Sequence, residues 1–218
     1  MLNLLIWILA FVVVITVHEA AHAWMADRLG DPTARLSGRL SLNPIVHYDP
    51  IGTSLLLVTV ILRAIGMPVI PFGWAKPVGF DPYNLKDPQR DTALISLSGP
   101  AANLLLAIIL ALAVRFIPTP FSPVNFLLNL LYPFIVLNVS LAIFNLIPVH
   151  PLDGGKILVG LMPKKEAHKV DLFLNRYGLI LLLFLIFPTI GGMSLLSLIV
   201  SPLLDLILRL LLPGAALI

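Results

Sequence analysis

Two imidazoles and a carboxylate fall within five positions, His18-Glu19-Ala20-Ala21-His22, and the residues before them, Leu4 to Val17, are almost entirely apolar. On a helix, His18 and His22 stack one turn apart on a single face, close enough to share a metal ion. Glu19 is turned about 100° from His18, so its carboxylate can reach a water on that metal without being a ligand. This is the arrangement of a zinc hydrolase. The alternative is a pair of core histidines with a chance glutamate. A charged or metal-binding group inside a membrane helix costs about 2.5 to 3.5 kcal/mol, so three of them together are poorly explained by packing.

A second cluster, Asn145-Leu146-Ile147-Pro148-Val149-His150-Pro151-Leu152-Asp153-Gly154-Gly155, closes a later apolar stretch. Pro148 and Pro151 cannot continue a regular helix, and Gly154-Gly155 permits positive φ, so Asp153 is expected on an irregular turn that aims its carboxylate sideways. Irregular backbone at membrane depth survives only where protein buries it or water fills it. Catalytic zinc takes three protein ligands and keeps one position open. The chain has no cysteine, so the donor beyond His18 and His22 must be His, Asp or Glu. Asp153 is the third ligand expected, because the glycines follow it directly. His150, three residues earlier, is chemically as suitable, and is otherwise a hydrogen-bonding or solvent-facing histidine at the membrane edge. Asn145 is a candidate side-chain amide for a developing oxyanion. Asn103 reads as structural, since Gly99-Pro100-Ala101-Ala102 before it signals close helix packing. His47, between two X-Pro steps, could approach the metal but has the pattern of a turn histidine.

The elements that must position these groups lie in lipid. Apolar residues make up 59% of the 218-residue chain and charged ones 11%, against about 45 to 50% and 25% in soluble domains. The formal charge of +3 is small and dispersed, which argues against nucleic acid as a partner. Apolar stretches occupy about 2–26, 51–70, 92–117, 125–148, 172–187 and 193–212, each long enough or nearly so to cross roughly 30 Å of hydrocarbon. They are read as one integral-membrane domain over 1–218, with a catalytic core of about 5–165 and a C-terminal helical hairpin of about 171–212. The first stretch has no basic residue before it and carries the His/Glu motif, so it is read as a retained span and not as a secretory signal.

Both ligand motifs lie at or near the C-terminal ends of their stretches, so the first and fourth must run in the same direction for the ligands to meet at one depth. That requires one of the two stretches between them to turn back. Arg63, Gly66, Pro68 and Pro71 interrupt 51–70, so it is the expected re-entrant element, a short helix followed by an extended return through 67–80. The connections 27–50, 71–91 and 149–171, which carry nearly all the Lys and Arg, then share one side, the cytoplasmic one, and the site lies near it. The expected fold is an all-α polytopic membrane protein with about five spanning helices and one re-entrant element.

The helix motif at 18–22, Gly73-Trp74-Ala75-Lys76-Pro77-Val78, Ser98-Gly99-Pro100-Ala101-Ala102-Asn103 and the run from Asn145 to Gly155, in this order, resemble the site-2 protease family of intramembrane zinc metalloproteases. The closest resemblance is to its compact prokaryotic type without PDZ or CBS domains. The likeness covers roughly residues 5–165. It implies one zinc ion held by His18, His22 and Asp153, Glu19 as general base, transmembrane or membrane-associated protein substrates, and a place in the prokaryotic cytoplasmic membrane. A zinc-binding transporter or sensor is the alternative, and it would need no general base. An unwound substrate must also satisfy its freed backbone groups. The limb 72–80 is expected to offer an open strand edge for this, with a loop packed on the bundle as the competing reading.

Overall fold

The computed structural model describes residues 2–64, 73–74, 76–115, 123–190 and 193–212. Chain order is α1 (Leu2–Leu29), α2 (Thr33–Leu36), the 3₁₀ turn η1 (Pro44–His47), α3 (Pro50–Ala64), a second 3₁₀ turn η2 (Pro82–Asn84), α4 (Pro88–Arg115), α5 (Pro123–Asn145), α6 (Asp153–Leu161), α7 (Lys164–Ile186), the short strands β1 (Pro188–Ile190) and β2 (Met193–Ser194), and α8 (Leu195–Leu211). Among the described residues the regular structure is helical apart from the antiparallel β1–β2 ribbon. Among the described residues, Asn3–Leu29 and Pro88–Arg115 are long and apolar enough to cross a membrane, and Leu130–Asn145 is a shorter apolar helix.

Helix α4 packs along α1 through a stripe of every fourth residue, the spacing that keeps side chains on one helix face. Ile95 meets His22 and Ala26, Gly99 meets both histidines, and Asn103 reaches back to Val14. Rising numbers on α1 thus match falling numbers on α4, so the two helices are antiparallel. Asn138 of α5 bonds Asn103, which fixes the direction of α5 as well. If α5 ran parallel to α4, its start would lie about 40 Å from Arg115, counting 12 and 15 residues at 1.5 Å each. The eight peptide steps from Arg115 to Pro123 reach about 30 Å at most. Helix α5 is therefore antiparallel to α4 and parallel to α1, the relation that the two ligand motifs demand. Ala107, Ala111, Ile135, Val139 and Leu208 bury the contact of α4, α5 and α8.

Two staples tie the connections together, one at the C-terminal end of α1 and one beside its middle. The carboxylate of Asp31, wholly enclosed, accepts from the Thr33 hydroxyl at 2.6 Å, from the Asn84 amide at 2.8 Å and from the Asp81 N–H at 2.9 Å. Enclosure alone would raise its pKa, but these donors outweigh it and hold the group below the ordinary carboxylate value. The Lys76 N–H donates to His47 O at 2.9 Å, and the Arg39 guanidinium donates to Pro77 O. A Cβ on Gly52 would strike the backbone oxygen and ring of Trp74, so the glycine admits the returning chain against the start of α3. The chain that leaves at His47 is back beside it at Lys76. With 15 residues, α3 spans about 22 Å, short of a full crossing.

Two boundaries differ from expectation. Helix α7 begins at Lys164, ahead of the apolar run, because Lys164 to Asp171 continue the helix as a polar extension. The expected connection at 149–171 contains α6. The Arg63 side chain, the interrupting residues Gly66, Pro68 and Pro71, and the turn around Pro118 and Pro120 lie outside the described residues.

Candidate metal centre

His18 and His22 face the start of α6 from one side of α1. Asp153 Oδ2 lies 3.1 Å from His18 Nε2 and 3.3 Å from His22 Nε2, and the two ring nitrogens are 3.0 Å apart. All three residues are buried, at 4%, 8% and 8% exposure. These are the residues that form a metal-binding group among those described.

The other ring nitrogens show what this cluster needs. His22 Nδ1 lies 2.7 Å from Ile95 O, and a carbonyl only accepts, so that nitrogen carries the hydrogen. His18 Nδ1 lies 2.9 Å from Asn103 Oδ1 and donates to it in the same way. In the neutral rings both Nε2 atoms are then bare lone pairs, aimed at each other and at a carboxylate oxygen. Three acceptors with no hydrogen between them repel unless a cation joins them. Their spacing is close to the roughly 3.3 Å between ligands of a tetrahedral zinc bonded at about 2.0–2.1 Å. The residues present fit zinc.

The local sequence explains how the atoms get there. Gly99 lets α4 approach, since a Cβ there would lie 2.5 Å from His22 Nε2 and 2.7 Å from His18 Cε1. Asp153 is the first residue of α6, entered from a turn in which Val149 N–H donates to Ile147 O and Leu152 N–H to Val149 O. The following glycines do not serve by positive φ, which among the described residues occurs only at Gly30 and Gly38. They serve by close approach: a Cβ on Gly154 would enter the carbonyls of Leu146 and Ile147, and one on Gly155 would lie 2.5 Å from His150 Nδ1. Asp153 thus opens a regular helix, and the irregular backbone is the turn before it.

His150 does not join the cluster, because its Nε2 lies 3.1 Å from Asp171 Oδ1 of α7. His47 is buried with its Nε2 on Ser41 O at 2.9 Å. The Asn145 amide donates to Leu141 O at 3.1 Å, one turn back in its own helix, which leaves its second N–H. Glu19 is half-buried, and its Oε2 accepts from the Val78 N–H at 2.9 Å. An open strand edge is not found at 76–78: Lys76 N–H is taken by His47, Val78 N–H by Glu19, and Pro77 has none. Phe72 and Ala75 lie outside the described residues.

Two asparagines serve the centre beyond the residues expected of it. Asn103, read as structural, holds His18, and Asn138 holds Asn103. For Asn103 the signal was a lone amide in the apolar stretch of α4, whereas Asn138 shares α5 with Asn125, Asn129 and Asn145, so residue type does not single it out. The Ile95 carbonyl and the Val78 N–H are backbone groups, and no residue type announces them.

The model of peptidase family M50 matches residues 6–127 and 119–185 of the chain. YwhC of Bacillus subtilis (strain 168), a candidate zinc metalloprotease by its name, is 36% identical over 190 residues, covering 85% of this chain and 81% of the relative. Rip2 of Mycobacterium tuberculosis (strain ATCC 25618 / H37Rv), named in the same terms, is 29% identical over 188 residues, covering 85% and 68%. The zinc metalloprotease MJ0392 of Methanocaldococcus jannaschii is 32% identical over 92 residues, covering 42% of this chain and 26% of the relative. No solved structure matches.

Proposed function

The chain belongs to peptidase family M50, and from that premise we propose that this membrane metalloprotease cuts its substrates within the bilayer, at peptide bonds in or near their transmembrane segments. The observation that carries the reading is the convergence of two bare imidazole nitrogens and a carboxylate oxygen beside Glu19, on a helix apolar enough to cross a membrane. One zinc ion per chain would be held by His18, His22 and Asp153. When bound, it supplies a Lewis acid for the scissile carbonyl and lowers the pKa of the attacking water.

Glu19 removes a proton from that water as its oxygen bonds to the carbonyl carbon, and delivers the proton to the amine nitrogen as the C–N bond breaks. The Val78 N–H keeps the carboxylate oriented. The free N–H of Asn145 is the candidate donor to the developing oxyanion. An apolar recess of about 370 Å³, lined among others by Ile15, Thr16, Ile45 and Trp74, lies one turn from Glu19 on the same face of α1 and suits an apolar side chain of the substrate. A transporter or sensor would have no use for a carboxylate base held beside the ligands.

Removal of metal from the purified chain by a chelator is expected to abolish cleavage of a transmembrane peptide in micelles, with zinc restoring it. His18→Ala and Asp153→Ala should lower zinc content and cleavage together. Normal zinc in Asp153→Ala, or full cleavage by metal-free protein, would overturn the ligand set.

For the topology we propose five spans, with α3 and its return limb re-entrant, and the basic connections and the site near the cytoplasmic face of a prokaryotic membrane. The bonds that join Asp31 to Asn84 and His47 to Lys76 support it. Single cysteines at the exposed positions Ser37, Tyr83 and Lys165 should all be labelled from the cytoplasmic side. Labelling of Ser37 and Tyr83 from opposite sides would show that the segment between them crosses.

A further inference from the structure

Behind His18 lies a line of polar groups that the hydrolytic scheme does not use. Asn103 and Asn138 are completely buried between α1, α4 and α5. Phe134 O accepts from Asn138 Nδ2 at 2.8 Å. Because a carbonyl can only accept, the amide of Asn138 must present its nitrogen there and its oxygen to Asn103. Asn103 Nδ2 accordingly donates to Asn138 Oδ1 at 3.0 Å and to Val14 O at 3.3 Å. Both partners are acceptors, so Asn103 cannot turn over without placing its own oxygen against two others. Its Oδ1 is left facing His18 Nδ1 at 2.9 Å, and that nitrogen must carry the hydrogen.

We propose that Asn138 is a positioning residue for the metal centre: acting through Asn103, it fixes His18 as the tautomer whose Nε2 lone pair points at the metal. The proposal rests on the zinc reading of His18. The orientation is set by the α5 backbone at Phe134 and passed through two amides to the imidazole. His22 needs no such line, because the Ile95 carbonyl fixes its ring in one step. With Asn138 removed, only the longer bond to Val14 O at 3.3 Å still opposes a turn of Asn103, and the turned amide presents its NH₂ to His18 Nδ1, which selects the other tautomer and puts a hydrogen where the ion must bind. Partners of this kind behind a metal-ligating histidine are worth about 10- to 100-fold in metal affinity.

The test is zinc affinity by competition with a chromophoric chelator, on the full chain in detergent, with helicity measured alongside. Wild type should bind one equivalent and His18→Ala should lose it. If wild type binds none, or His18→Ala binds as wild type does, the zinc reading itself fails and the relay fails with it. Given a zinc site, Asn138→Ala should weaken binding about 10- to 100-fold. Asn138→Asp, as the protonated acid, donates its O–H to Phe134 O, keeps an acceptor toward Asn103 and should stay within about threefold of wild type. Asn103→Asp placed on Asn138→Ala should recover the lost affinity, since a carboxylate accepts from Nδ1–H whichever way it is turned. A role in packing alone would not be rescued by that second change. Wild-type affinity in Asn138→Ala overturns the proposal. Where Asn138→Ala does not fold, Asn138→Asp decides it, and a tenfold weakening there overturns it.

Discussion

Replacement of Glu19 by Gln is expected to leave zinc binding intact and to lower the rate of peptide hydrolysis by about 10²- to 10⁴-fold, the usual contribution of a positioned base. The amide has the size and shape of the carboxylate. Its oxygen can still accept from the Val78 N–H, which is 2.9 Å from Glu19 Oε2, so neither the helix nor the limb at 76–78 has reason to move. What the amide lacks is a basic site for the proton of water. The loss should therefore fall on kcat, with KM changed little, because the interaction is made on the way to the transition state and not in the bound substrate. Zinc content, measured on the same preparation, separates this from a ligand defect such as Asp153→Ala. Hydrolysis by Glu19→Gln at near the wild-type rate would sink the assignment of the base.

The parts of this molecule that could be read from sequence are those in which a residue type is out of place for its surroundings. Imidazoles and carboxylates in an apolar run have few structural uses, so His18, Glu19, His22 and Asp153 stand out, and the structure brings the two histidines and Asp153 within hydrogen-bond distance. The common direction of α1 and α5 followed from placing the ligand motifs at matching ends. Less legible were features that depend on what lies opposite. Gly154 and Gly155 suggested positive φ, but their use is to let backbone and His150 come close, which only the neighbours reveal. His150 and Asp153 were alike as donors until Asp171, on a helix 21 positions on, claimed the histidine. The limb 72–80 reads as an open edge because sequence does not show that His47 O and Glu19 already hold the N–H groups of Lys76 and Val78.

Gly99→Ala is expected to be as damaging as loss of a ligand, although Gly99 carries no donor. Its added Cβ would lie 2.5 Å from His22 Nε2, 2.6 Å from His22 Cε1 and 2.7 Å from His18 Cε1. Carbon atoms in contact prefer about 3.5–4.0 Å, so roughly an ångström must be found. A flexible side chain could yield that much, but these rings are tethered behind, His18 to Asn103 and His22 to the Ile95 carbonyl. Either the rings swing and the ligand atoms separate, or α4 withdraws from α1 and takes both tethers with it. Overpacking of this kind costs about 1–3 kcal/mol in an ordinary core, which leaves the protein able to insert and fold. The metal site tolerates much less. The expected result is a helical, membrane-inserted protein with zinc affinity and cleavage each reduced at least about 100-fold, a scale consistent with losing the orientation of both histidines. Gly79→Ala is the control, because its Cβ would meet nothing within 4 Å, and it should be silent in both assays. Zinc bound by Gly99→Ala with wild-type affinity would mean that α4 stands further from the histidines than the bonds of Ile95 and Asn103 allow.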